Sequence, residues 1–133
     1  MSDKSILIKT FNTHFIEFLD DIIRTIPDNM DLKTAKTSSN MIILANPSMI
    51  IKAWYKFIYT PYSKQIEAGD ITFFFEKDYS NDLVYISNSN EIMQTIDILR
   101  EPIKNMNDAE KEFTTKYLQN LTKLSVLYTT YIQ

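Results

Sequence analysis

Side chains that commonly carry out acid–base chemistry are few in this sequence, and their spacing does not form a recognisable site. His14 is the sole histidine, and it lies near Phe11 and Phe18 with no nucleophile close to it along the chain. A general base needs a positioned partner, so this pattern favours a structural histidine. Asp20 and Asp21 are adjacent and would point in different directions on a helix, which is typical of a solvated surface. We therefore predict no catalytic residues and a protein that is not an enzyme.

Metal and cofactor sites are also not predicted. Asp78, Ser80 and Asp82 alternate like the ligands of a calcium loop, but Leu83 replaces the central glycine of an EF-hand and Ser89 replaces its terminal glutamate. The sequence has no cysteine, which excludes thiolate zinc sites, disulfides and cysteine nucleophiles. Its single glycine excludes the glycine-rich loops that bind phosphates. We expect the protein to need no cofactor.

Composition predicts one globular domain over residues 1–133. Apolar residues make up 44% of the chain, and eight Phe, eight Tyr and one Trp supply enough apolar mass for a core. The 14 basic and 17 acidic residues give a net charge of −3, whereas proteins that coat DNA are usually strongly basic. Apolar runs reach only about five residues, far short of the roughly 20 that span a membrane, and the first residues are not expected to form a signal peptide. We expect an intracellular protein that does not enter a membrane.

Turn residues and apolar spacing predict an all-α fold, a compact bundle of about six helices with a loop-rich centre. The first helix is expected over 5–25 with Ser5 as its cap, and the second over 32–45 with Asp28 or Asp31 as its cap. Further helices are expected over about 47–59, 61–69 and 91–100, the last ended or kinked near Pro102, and from residue 108 onward. Gly69 is expected to end its helix in a left-handed conformation.

The centre of the chain, residues 77–90, is predicted to be a loop. Residues 83–86 have the apolar composition of a strand, but a lone four-residue strand without a partner is weak support for a sheet. The predicted core draws on apolar positions at helical spacing: Phe15, Phe18, Leu19, Ile22, Trp54, Phe57, Phe74, Leu121 and Leu124.

The last helix carries the most regular apolar pattern. Its apolar positions are spaced by three or four residues and comprise Phe113, Tyr117, Leu121, Leu124, Tyr128 and Tyr131. We interpret this stripe as a seam inside the bundle in preference to a dimeric coiled coil, because it covers fewer than three full heptads. Its terminal tyrosines are expected to leave a half-exposed patch.

Charge is strongly segregated along the chain. Residues 33–66 contain five lysines and no acid, whereas residues 67–101 contain eight acids against Lys77 and Arg100. Helical spacing places four residues of the basic segment on one face, namely Lys52, Tyr55, Lys56 and Tyr59. A lysine and tyrosine face suits an acidic protein surface, and it also suits phosphate backbones with base stacking.

Short motifs throughout the chain resemble a group of small, uncharacterised helical proteins of nucleocytoplasmic large DNA viruses, the relatives of giant viruses. They are FIEFLDDI (15–22), IPD (26–28), TAK (34–36), ANP (45–47), IKAW (51–54), PY (61–62), IEAGDI (66–71), FFFEKDY (73–79), LREPI (99–103) and YLQNL (117–121). The resemblance implies a viral origin and an all-helical fold, and it brings no activity with it.

These observations predict a non-catalytic viral interaction or structural protein. It would act in virion assembly, in a viral factory or on a host target, and would reside in the host cytoplasm, the viral factory or the virion. Its partner would be a viral or host protein or another copy of the chain. The candidate partner-binding residues are Lys52, Tyr55, Lys56, Tyr59, Tyr128 and Tyr131. The alternative is a nucleic-acid-binding accessory protein of viral replication or transcription that uses the basic and aromatic face within residues 33–66.

Overall fold

Helices make up every regular element of the part of the chain that the structure, a computed structural model, describes, namely residues 3–71 and 98–132. They are α1 (Asp3–Thr25), α2 (Met30–Ala45), α3 (Met49–Trp54), a π-helical turn (Tyr55–Tyr59), α4 (Thr60–Glu67), α5 (98–104) and α6 (Asp108–Ile132). The all-α fold class and the compact helical bundle are thereby confirmed. The predicted central loop over 77–90, Phe74, and the first part of the helix predicted over 91–100 lie outside the described residues.

The starts of α1 and α2 differ from the predictions. α1 already includes Asp3, so Ser5 lies within the helix and is not its cap. The cap of α2 is Asn29, because its side-chain oxygen accepts a hydrogen bond from the Leu32 N–H at 3.1 Å. The prediction that Asp28 or Asp31 caps α2 is wrong. Asn and Asp are about equal as caps, so the geometry of the turn out of α1 decides which side chain reaches the open N–H groups.

α4 begins at Thr60 with Pro61 in its first turn, as the sequence predicted, and its backbone kinks at Tyr62, whose φ of −126° and ψ of 18° are not helical. Proline lacks an N–H, and its ring clashes with the carbonyl four residues earlier. The helix widens just before Pro61 into a π-helical turn, in which the Thr60 N–H bonds to the Tyr55 carbonyl five positions back. The wider turn accommodates Pro61, and the kink follows at the next residue, Tyr62.

Gly69 ends α4 as predicted, with a positive φ of 77°. The Gly69 N–H bonds to the Ile66 carbonyl at 3.0 Å, and the Asp70 N–H bonds to the Gln65 carbonyl at 2.8 Å. These two bonds form a Schellman motif, which satisfies carbonyls that the helix end would otherwise leave open.

Pro102 lies close to the end of the helix that precedes α6, as expected. It is buried within α5, where the helix continues to residue 104. α6 begins at Asp108, as predicted, with a reciprocal cap. Glu110 donates its N–H to Asn107 Oδ1 at 2.8 Å, and Asn107 donates its N–H to Glu110 Oε1 at 3.1 Å.

The core forms around α1, which packs against α2, α3 and α6. Six predicted core residues are buried: Phe15, Phe18, Leu19, Ile22, Trp54 and Leu121. Leu124 packs against this core while partly exposed, and the side chain of Phe57 is outside the described part of the structure. Trp54 meets Phe11 and Phe15 edge-on and donates its indole N–H to Thr122 Oγ1 at 2.9 Å.

The buried face of α6 differs from the predicted seam. Phe113 and Tyr131, the two ends of that seam, are 66% and 52% exposed. The face turned to the core comprises Thr114, Leu118, Leu121, Thr122, Ser125, Tyr128 and Thr129. Hydroxyls can be buried there because several bond to carbonyls of their own helix, such as Ser125 to the Thr122 carbonyl at 2.7 Å. The predicted seam is therefore confirmed at its centre, where Leu121 and Tyr128 are buried and Leu124 and Tyr117 pack against the core, and it is wrong at its two ends.

Candidate interaction surfaces

The predicted face of Lys52, Tyr55, Lys56 and Tyr59, here called the Lys/Tyr face, spans the end of α3 and the π-helical turn. Both lysines are exposed, and both tyrosines are half-buried. The tyrosine rings stack on each other, with centroids 5.1 Å apart and planes 23° from parallel. The structure thus brings these four residues together on consecutive turns, with a paired aromatic surface beside two cations.

The two candidate tyrosines near the end of α6 have different positions. Tyr128 is only 1% exposed and its ring belongs to the core, with the Lys4 ammonium 5.9 Å from the ring centroid. Tyr131 is half-exposed and remains accessible to a partner. Of the predicted end patch, only Tyr131 lies at the surface.

An exposed stripe on α6, which we call the outer seam, shares four residues with the predicted seam, and its other two, Asn120 and Leu127, were not predicted. It consists of Phe113, Tyr117, Asn120, Leu124, Leu127 and Tyr131. Their spacing of four, three, four, three and four residues is that of the contact positions of a coiled coil. Asn120 is exposed, Leu127 is 49% exposed, and Tyr117 and Leu124 are partly exposed. The spacing of the outer seam is visible in the sequence, but Leu121 and Tyr128 also lie at helical spacing, and the predicted seam included them in place of Asn120 and Leu127.

Tyr117 joins the outer seam to α1 through a polar contact. Its hydroxyl donates a short hydrogen bond to Asp21 Oδ2, and the other oxygen of Asp21 pairs with the Arg24 guanidinium. Burial, together with the hydrogen bond to Asp21 and its negative charge, raises the pKa of Tyr117 to about 12. A cleft of about 280 Å³ opens beside this contact, between α1 and α6, with Phe113 at its edge.

His14 lies one turn from this contact and packs against Tyr117. The two ring centroids are 4.8 Å apart, and His14 Nδ1 is 3.6 Å from Glu17 Oε2. Its Nε2 is buried and has no hydrogen-bond partner among the described residues. The imidazole is therefore placed as a packing element between α1 and α6.

Residues 3–71 and 98–132 contain no group of three or more His, Cys, Asp or Glu side chains that could hold a metal ion. In the same two ranges, no helix has both the length and the apolar character needed to cross a bilayer.

Comparison with known proteins gives no relative. No protein-family model, curated protein or solved structure matches this chain.

Proposed function

We propose that this protein is a non-catalytic interaction or structural protein that works through protein–protein contacts. The observation that carries the proposal is the outer seam of α6, because it places large apolar side chains in water along one side of a helix whose other side is already buried. The largest apolar patch on a monomeric protein is typically a few hundred Å² and is often a binding surface. Tyr131 and Phe113 add rings of the type enriched at interfaces.

The biological setting of the proposal is viral. The resemblance to small helical proteins of nucleocytoplasmic large DNA viruses implies a viral origin, and within that setting we propose a role in virion assembly, in a viral factory or on a host target. A protein in any of these roles works in the cytoplasm of an infected cell or in the particle itself.

Affinity capture followed by mass spectrometry tests this function. The purified chain is immobilised and exposed to an extract of infected or expressing cells, beside the double variant Leu127→Ser with Tyr131→Ser. We expect the variant to lose the partners that the unchanged chain recovers. Leu44→Ser is the matched control, because Leu44 is 86% exposed on α2, away from the outer seam. Equal recovery of every partner by the double variant would refute a role for the seam.

The Lys/Tyr face supports the second candidate function, nucleic-acid binding. Stacked, half-exposed tyrosine rings beside exposed lysines are suited to single strands, where bases stack on aromatic rings and lysines follow the phosphates. Lys52→Glu with Lys56→Glu is expected to leave the fold intact, since exposed charges contribute little to stability. Binding of an oligonucleotide that weakens steeply with salt and is lost in this variant would favour this second function. Binding that is absent in the unchanged chain would exclude it.

A further inference from the structure

We infer that the outer seam of α6 binds a second copy of this chain, with the two α6 helices antiparallel. The inference rests on the proposed function, since it assigns a partner to the same seam. The partner in this case is the protein itself, in a symmetric dimer in which each copy presents the same stripe.

The spacing of the seam is suited to pairing with itself in opposite directions. The intervals four, three, four, three and four read the same from either end. When the two-fold axis of an antiparallel pair passes midway between residues 120 and 124, Phe113 of each copy lies opposite Tyr131 of the other. In the same register Tyr117 lies opposite Leu127, and Asn120 lies opposite Leu124. Each aromatic ring thus meets a large apolar or aromatic side chain, and the single polar position, Asn120, lies close to the symmetry axis.

The charges near the two ends of the seam favour this antiparallel arrangement. α1 runs antiparallel to α6, because Lys4 contacts Tyr128 while Asp21 contacts Tyr117. The end near Tyr131 therefore holds two lysines, Lys4 and Lys9, and one acid, Asp3.

The end near Phe113 is richer in carboxylates. Its six acids are Glu17, Asp20, Asp21, Asp108, Glu110 and Glu112, and its four bases are Arg24, Lys36, Lys111 and Lys116, of which Lys36 pairs with Asp20 at 2.7 Å. An antiparallel pair sets the basic end of one copy against the acidic end of the other. A parallel pair would bring two acidic ends together, which like charges oppose.

The exposed area predicts a weak dimer. A whole aromatic side chain offers roughly 200 Å², so the exposed fractions of Phe113 and Tyr131 leave on the order of 100–130 Å² of each ring in water. With Leu127 and the partly exposed positions, the stripe falls short of the roughly 600 Å² per partner at the lower limit of stable interfaces. We therefore expect a dimer that forms at micromolar or higher concentration and dissociates on dilution.

Sedimentation equilibrium of the purified chain over a wide concentration range is the first measurement. A mass that rises from one copy to two with concentration is expected, and Leu127→Lys or Tyr131→Ser is expected to hold the mass at one copy. Both side chains are about half-exposed, and circular dichroism checks that each variant is folded. Leu44→Ser is the control and should dimerise as the unchanged chain does. A single-copy mass at every concentration, or a dimer that both seam variants retain, overturns the inference.

Cysteine crosslinking determines the orientation, and the absence of natural cysteine leaves each introduced thiol as the sole one in its chain. Phe113→Cys and Tyr131→Cys are prepared separately and treated with a short bismaleimide, alone and mixed. The antiparallel dimer predicts rapid crosslinking only in the mixture. Rapid crosslinking of each variant with itself shows a parallel pair and overturns the antiparallel assignment, and no crosslinking in any sample overturns the seam pairing.

The two proposals fail in different ways. A chain that stays monomeric but loses captured partners when Leu127 and Tyr131 are changed refutes the second copy and still supports a protein-contact function. If the chain stays monomeric and still captures the same partners after Leu127 and Tyr131 are changed, both the second copy and the role of the seam in protein contacts are refuted.

Discussion

Trp54→Ala is the change whose effect on stability follows most directly from the packing. The indole is 6% exposed, meets Phe11 at 6.0 Å and Phe15 at 6.3 Å between ring centroids, and donates its N–H to Thr122. Truncation removes the apolar contacts, opens a cavity between α1, α3 and α6, and deletes the hydrogen bond. Buried aromatic residues changed to alanine lose about 3–5 kcal/mol. Against a total stability of about 5–15 kcal/mol for a typical protein, this loss is a large fraction.

The hydrogen bond can be separated from the packing. Trp54→Phe keeps an aromatic ring and removes the donor, whereas Thr122→Val keeps the shape and leaves the indole N–H buried without its acceptor. An unsatisfied buried donor costs about 1–3 kcal/mol. We expect the double variant to be more stable than the sum of the two single losses predicts, since both changes remove the same bond.

Urea unfolding followed by far-ultraviolet circular dichroism measures these differences. Trp54 is the only tryptophan, so its fluorescence cannot follow unfolding in its own variants. Unfolding of Trp54→Ala at the same urea concentration as the unchanged chain would contradict the core position of the indole. Strict additivity of Trp54→Phe and Thr122→Val would contradict the contribution of the hydrogen bond.

Three further predictions concern single positions. Gly69→Ala is expected to destabilise the chain by about 1–2 kcal/mol in urea unfolding, because an L side chain resists the positive φ although the added Cβ would meet only Thr115 at 3.8 Å; an unchanged midpoint would contradict the left-handed cap. Tyr117 should ionise near pH 12 in a spectrophotometric titration, against about 10 when unfolded. Because folding raises this pKa, its contribution to stability is complete below pH 10 and is lost as the pH rises through 12, and Tyr117→Phe should remove that pH dependence. Asn107→Ala is expected to cost about 1 kcal/mol by removing the reciprocal cap with Glu110; Asn107→Asp, which keeps an acceptor, serves as its control.

Local signals in the sequence determined the helical class and several helix ends. The stop after Thr25, the left-handed Gly69 and the start of α6 at Asp108 each depend on residues within one turn of the chain. The core residues of α1 also followed from spacing, because a helix with one apolar side has one way to bury it.

Tertiary structure decided the features that depend on more than one helix. Asn29 rather than a neighbouring aspartate caps α2, and the chain widens before Pro61 and kinks at Tyr62, because packing of the flanking helices fixes the backbone path.

The side of α6 that faces the core was decided in the same way. α6 carries apolar residues on two neighbouring stripes, and the sequence alone does not show which one α1 and α3 will cover. Packing against those helices buries Thr122, Ser125 and Tyr128 in the core, and Phe113 and Tyr131 remain exposed to solvent. Spacing determined that α6 has apolar stripes, and only the assembled bundle determined which of them remains open to a partner.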